Sequence, residues 1–418
     1  MTEIKKSFFN KDFTLVVIGQ IISLFGNAIL RYVLPLYLLN QTHSAALFGA
    51  VSACAIIPMV VFAPIGGIVA DRVNKRNIMV ALDFITAGIM ATYAFSLGKT
   101  DMVITIIIVL MLLYGISGAY QPAVQASIPV LEKKENLNSA NAMINMVNSL
   151  SSMFGPVIGG IIYAPLGIYP VLYISIICFT ASAVMEIFIC IPFVKRENNK
   201  NAFAIAGDDL RDGVKYITKG NPITGQMALV SCGINLILSA FITVGLPVII
   251  TEYLGFKQAT GNELYGYALG VMGAGGLAGG FLASLLGKKL RIRYAYLCIL
   301  GSTLALIPMT FAVVFTSRPY LSYFEIIVPC FMMTVLASLY NVQTSSYYQL
   351  STPGELLGKV MAFMSCISMC ASPIGQAIYG VLFEALRSRM YIITLVSLAF
   401  GLVLSYCSKI TIAKIPQD

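Results

Sequence analysis

Long apolar stretches recur along the chain, each closed by a short polar or charged segment. Twelve of them approach the length of about 20 residues that a helix needs to cross a bilayer. They run over roughly 13–39, 45–70, 77–97, 102–126, 139–164, 169–193, 223–252, 264–287, 293–316, 322–349, 358–384 and 389–408. Strands of a membrane barrel would alternate apolar and polar residues in segments of about ten; these runs do not. The pattern predicts an all-α integral membrane protein with twelve transmembrane helices. The longest polar stretch, 194–222, follows the sixth run and divides the chain. The expected parts are an N-terminal segment 1–11, a six-helix bundle 12–193, a linker 194–222, a second bundle 223–409 and a tail 410–418. Within the linker, Leu210, Val214 and Ile217 recur at helical spacing, which predicts a short amphipathic helix on the inner membrane surface. The opening MTEIKKSFFNKDF is polar and has no small-residue cleavage site, so no removed signal peptide is expected.

Composition removes the soluble alternative. Of the 418 residues, 58% are hydrophobic and 11% charged, against about 25% charged in soluble domains. The net charge of +9 would suit a nucleic-acid binder, but its distribution argues otherwise. With twelve helices threaded from a cytosolic N-terminus, 21 of the 27 Lys and Arg fall in cytosolic segments and five outside, with Arg31 inside a span. That asymmetry is the positive-inside rule. It puts both termini in the cytosol of a multi-pass plasma-membrane protein and makes the charge topological, with no nucleic-acid partner. Nine cysteines without paired spacing and a single histidine, His43, leave no material for a metal site or a histidine-based catalytic triad. No GxxxxGK[ST] sequence is present, so no ATP-hydrolysing site, no cofactor and no enzymatic activity are expected. A glycine-rich match to the dinucleotide pattern at Gly273–Ala278 sits in an apolar span with no strand before it, and reads as helix packing.

The two halves repeat each other. GGIVADRVNKR at 66–76 aligns with GGFLASLLGKK at 279–289: Gly67 with Gly280, Lys75 with Lys288, Arg76 with Lys289. SMFGPVIGGIIY at 152–163 aligns with SMCASPIGQAIY at 368–379. The offsets are 213 and 216, in the second and fifth helices of each half. Parallel six-helix repeats that rock about a central site are a transporter architecture. On these residues the chain resembles the major facilitator superfamily over essentially its whole length. Gly67, Asp71, Arg72, Lys75 and Arg76 match that family's signature loop between helices two and three. Gly155, Pro156, Gly159 and Gly160 resemble a helix-five motif found mainly among its exporters. The segments GQIISLFGNAI and DLRDGVKYITKGNP are similar to the branch of bacterial macrolide-efflux and siderophore exporters.

That resemblance implies two pseudo-symmetric bundles, an inner gate at Asp71 and Arg72, and a central cavity lined by the first helix of each half. Read from the residues alone, the gate segment is also an ordinary positive-inside helix end. Gln20, Ser23, Asn27 and Arg31 share one face of helix one. A central arginine costs at least about 2.5 kcal/mol in a membrane, so Arg31 should face a cavity or partner, or else snorkel to the outer headgroups. Further cavity candidates are Gln121, Gln125, Asn145, Asn235, Tyr340, Asn341 and Gln343, although such amides also join helices together. Asp83 and Glu186 are the two acids within spans. Low dielectric disfavours a charged carboxyl, which makes them proton-carrying candidates; the alternative is pairing with loop cations such as Arg72 or Arg76. The expected function is secondary active, proton-coupled efflux of small amphipathic compounds by a monomer in the lipid bilayer of a bacterial cell. A metabolite or lipid importer or flippase on the same fold is the alternative, and a membrane-embedded enzyme or receptor a remote one.

Overall fold

The computed structural model describes residues 10–132, 136–191, 216–217, 221–287, 290–314 and 318–415; at positions 64, 68, 71, 138, 354, 355, 358, 359, 362 and 365 it describes the backbone alone. Twelve helices are long and apolar enough to cross a membrane, and no strand occurs among the described residues. The first six are α1 (Lys11–Thr42), α2 (Ala45–Arg72), α3 (Lys75–Ser96), α4 (Met102–Leu131), α5 (Leu137–Leu166) and α6 (Ile168–Ile187). The second six are α7 (Pro222–Tyr253), α8 (Gln258–Leu286), α9 (Ile292–Val314), α10 (Pro319–Ser351), α11 (Gly354–Ala385) and α12 (Arg387–Ala413).

Local chemistry sets the ends. Asp101 accepts from the Ile104 amide at 2.9 Å and starts α4, a capping bond worth about 1 kcal/mol. Asn221 caps α7 with Pro222 at its first turn, where the missing N–H is no loss. Gly167, with φ at +76°, makes the bend between α5 and α6 that a residue with a Cβ resists.

By contacts the chain forms two compact units, Met1–Leu38 with Cys54–Asn199, and Leu39–Ala53 with Lys200–Asp418. In the first, α3 packs along α6 and α4, and α5 against α6. One end of this unit closes over Phe13, Val16, Met79, Ala123 and Ile144. In the second, α10 packs on α8 and α9, and α11 on α7. Residues 39–53, expected from sequence in the first bundle, group with the second unit. The reason is local bonding. Asn40 donates to Asn262 at 3.0 Å, Ser44 and the Ala46 amide donate to Glu384, and Gly49 lies against the backbone of Gln376 and Gly380.

The internal repeat has a packing counterpart inside each unit. A Cβ on Gly66 would lie 2.5 Å from the Ala119 Cα, so this glycine seats α2 on α4. Gly279 seats α8 on α10 in the same way, 2.6 Å from the Val335 carbonyl. Their neighbours Gly67 and Gly280 have nothing within 4 Å. The close approach thus belongs to Gly66, whereas the signature glycine Gly67 faces open space. In the fifth helices, Gly155 and Gly159 seat α5 on Ala28 and Tyr32 of α1, and Gly375 seats α11 on Leu236 and Ala240 of α7.

Leu210 and Val214 of the expected amphipathic linker helix lie outside the described residues. Its third apolar position, Ile217, is buried against Met227, Tyr348, Val360 and Met364. Tyr216 reinforces this by donating to the Ser351 carbonyl at 2.8 Å.

Candidate functional site

In the first unit, four helices bring polar groups into one buried network. The Gln20 amide of α1 donates to the Tyr120 hydroxyl of α4 at 2.8 Å. Tyr120 in turn donates to Glu186 Oε1 of α6 at 2.6 Å. One turn along α1, Ser23 donates to Asp83 Oδ1 of α3 at 3.0 Å. Ser182, one turn before Glu186, donates to the Gly19 carbonyl at 3.1 Å and ties α6 to α1. Gln20 and Glu186 are fully buried and Asp83 is 2% exposed.

The two acids therefore point into the bundle. They do not pair with Arg72 or Arg76. Among the described residues Arg387–Glu252 is an ion pair, with His43 Nδ1 also 2.9 Å from Glu252, all in the second unit. Asp83 Oδ2 and Glu186 Oε2 have no hydrogen-bond partner among the described residues. Burying a carboxylate without a cation partner is strongly unfavourable.

Further along α1, Asn27 donates to Ser117 of α4 at 3.1 Å. The Arg31 guanidinium stacks on the Tyr114 ring of α4, 3.9 Å from its centroid. The α1 stripe is thus paired with a matching α4 stripe, Tyr114, Ser117 and Tyr120, rather than left facing open space. Arg31 thus has a partner within the unit, an aromatic face, and no ion pair among the described residues. A cation over an aromatic face contributes about 0.5–2 kcal/mol depending on desolvation.

Other predicted residues stay apart from this network. Gln121 is half-buried, and Gln125 and Asn145 are exposed. Asn145 differs from Asn141 and Asn148, whose amides bond back to carbonyls four residues earlier, Leu137 and Ile144. In the helix-five motif, Gly155 and Gly159 pack on α1, and Pro156 and Gly160 are buried. In the signature loop, α2 ends at Arg72, which is exposed, and the Asp71 side chain lies outside the described atoms. Lys75 and Arg76 open α3, capped by Asn74, which accepts from the Arg76 amide at 3.0 Å.

In the second unit, α7, α8, α9, α10 and α11 enclose a cavity of about 450 Å³. Asn235, Tyr340 and Asn341 line it as the sequence predicted. Gln343 does not; it faces away and donates to Cys298 Sγ at 3.9 Å. Met272, Met333, Met361 and Met364 line the cavity with Ser231, Ser239 and Thr243, and none of the lining residues is charged. Asn235–Ser239 is a π-helical turn, a departure often found where a helix meets a ligand. Such a lining, adaptable thioethers with a few hydroxyls and amides, suits an uncharged or amphipathic compound.

The network's centre, Tyr120, escaped sequence reading. A tyrosine in an apolar span looks like a packing residue, and only its three-dimensional neighbours reveal the hydroxyl's role.

Comparison with known proteins agrees with the fold. A sequence family model for the Major Facilitator Superfamily matches residues 16–376. Macrolide efflux protein A of Streptococcus pyogenes is 22% identical over 365 residues, covering 85% of each chain. The Staphyloferrin A transporter of Staphylococcus aureus is 26% identical over 194 residues, 45% of each chain. Among solved structures, the nucleoside transporter NupG superposes with a TM-score of 0.76 at 12% identity, covering 97% of this chain and 100% of that one.

Proposed function

The chain belongs to the Major Facilitator Superfamily, and on that premise we propose that it exports small uncharged or amphipathic compounds in exchange for protons. It is a multi-pass membrane transporter, not an enzyme. The observation that carries the finer reading is the buried pair Asp83 and Glu186, held by α1 and α4 with no cation partner among the described residues. Neutral, the two acids accept from Ser23 and Tyr120 and allow four helices to pack. Ionised, they call for water. Loss of a proton therefore favours separation of the α1–α4 side from the α3–α6 side, and uptake favours closure. This is how a proton can bias one of two arrangements, provided the states differ in their affinity for it. The uncharged cavity of the second unit supplies the binding surface, and the macrolide-efflux relative supports the outward direction. Asp71 and Arg72 are the proposed inner gate.

The test is retention of a panel of dyes and antibiotics in a host lacking its own pumps, with and without an uncoupler. Uncoupler-sensitive loss of at least one compound is expected. Retention equal to empty vector across the panel would overturn the export reading. Asp83→Asn and Glu186→Gln are each expected to abolish the uncoupler-sensitive part; its survival in both would remove these acids from coupling.

A further inference from the structure

A second recess lies at the other face of α10. Its walls are the segment leading into α9, the C-terminal part of α10 and the end of α12, and its volume is about 610 Å³. Arg291, Arg293 and Lys409 converge on it from two separate elements, and no acid lines it. None of the three has an ion-pair partner among the described residues, and like charges around one recess favour an anion that joins them. The Lys409 ammonium lies 5.7 Å from the centre of the Tyr296 ring, which does not neutralise it. On the recess wall Gln343 is 5% exposed, and its Oε1 has no donor. A buried carbonyl oxygen without a donor costs about 1–3 kcal/mol, so the recess offers an acceptor as well as positive charge.

The surroundings indicate what carries that anion. Leu350 at the rim is 88% exposed. On α12, Leu402 and Tyr406, two turns and one turn before Lys409 on its side of the helix, form an exposed apolar stripe. At 1.5 Å per residue, Leu402 to Lys409 spans about 10 Å. A free phosphate has no use for such a stripe, whereas an acyl chain does.

We propose that this recess binds the headgroup of an anionic phospholipid, with the phosphodiester held by Arg291, Arg293 and Lys409 and a headgroup hydroxyl donating to Gln343. Basic recesses between membrane helices hold anionic headgroups by the same charge logic. The inference uses the transporter reading only in placing the chain in a bilayer. It is independent of the compound carried, and its test needs no transport.

The probe is phosphatidylglycerol as a minor component of phosphatidylcholine nanodiscs. The readout is the phosphatidylglycerol that co-purifies with the full chain after extraction, measured by mass spectrometry. Each of Arg291→Gln, Arg293→Gln and Lys409→Gln is expected to lower the enrichment about fivefold. The charge-keeping variants Arg291→Lys and Arg293→Lys should retain it, which separates charge from misfolding. Replacing the headgroup by phosphatidylmethanol, which lacks the hydroxyl, should weaken retention in the natural chain and make no difference in Gln343→Leu. Equal enrichment in natural and neutralised chains would overturn the proposal. So would inorganic phosphate displacing the lipid and stabilising the protein equally well, which would assign the recess to a soluble anion.

Discussion

The proton-holding reading of Glu186 can be tested without a transport assay, because the strength of its hydrogen bond depends on its charge. The Tyr120 hydroxyl makes two bonds, accepting from Gln20 at 2.8 Å and donating to Glu186 at 2.6 Å. A neutral intramolecular hydrogen bond contributes about 1 kcal/mol net, and one to a charged group about 1.5–3 kcal/mol. Tyr120→Phe should therefore cost about 2 kcal/mol if Glu186 is neutral, and about 2.5–4 kcal/mol if it is ionised. The absolute value mixes in relaxation of the site, so the informative quantity is a double-mutant cycle with Glu186→Gln. Glutamine keeps a carbonyl oxygen that accepts from Tyr120 but never carries charge. If Glu186 is a neutral acid, Tyr120→Phe costs the same in both backgrounds and the coupling energy is within about 0.5 kcal/mol of zero. If it is ionised, the coupling is about 0.5–2 kcal/mol. The assay is unfolding of the four purified variants in mixed micelles titrated with a denaturing detergent at neutral pH. Coupling above about 1 kcal/mol would refute the argument that this arrangement holds a proton on Glu186.

Three further outcomes follow from the geometry. Gly155→Ala places a Cβ 2.4 Å from the Ala28 Cβ and should cost about 1–3 kcal/mol, whereas Gly67→Ala meets nothing within 4 Å and should be neutral in stability; equal unfolding midpoints for both would contradict the packing. Tyr114→Leu removes the face under Arg31 and should destabilise by about 0.5–2 kcal/mol; Arg31→Ala in that background should then cost less than in the natural chain, and strictly additive losses would argue against the stacking. Asp71→Asn should reduce drug export while leaving membrane insertion and yield unchanged, and normal export in that variant would return the segment to being only a helix end.

The helix count was legible because lipid imposes a single rule, that a span be long and apolar, and that rule is written in composition. The tight contacts were legible where the repeat marked them: the fifth-helix glycines read as a motif and do seat α5 on α1. Which glycine of the signature segment makes the close contact was not legible. Two adjacent glycines are indistinguishable in sequence, and only helical phase decides which of Gly66 and Gly67 meets α4. Asp83 and Glu186 stood out as charges in apolar runs, but their inward orientation depends on rotation about α3 and α6, which apolar residues on nearly every face leave unmarked. Gln343 shows the same limit. It shares α10 with Tyr340 and Asn341, yet lies on the opposite side, in a recess of different charge.

The signature loop itself separates into two layers when helix electrostatics is applied to it. A helix favours acids in its first turn and cations in its last, by about 0.3–1 kcal/mol each. Asp71 sits in the last turn of α2, and Lys75 and Arg76 in the first turn of α3. Three of the four charges thus oppose the dipole of the helix that carries them, and only Arg72 agrees with it. Local stability cannot be why those three are there. The cations are what the positive-inside rule would place there if this end faces the cytosol, and the same holds for Lys288 and Lys289 in the second half. Asp71 is not, because acids contribute little to that rule and the second half has Ser284 and Leu285 where the first has Asp71 and Arg72. Gly66 and Gly279, by contrast, do the same packing task in both halves. What the halves share is explained by packing and topology. What remains is an acid placed where neither its helix nor the membrane favours it, in one half only, and that residue is where the inner gate should be sought.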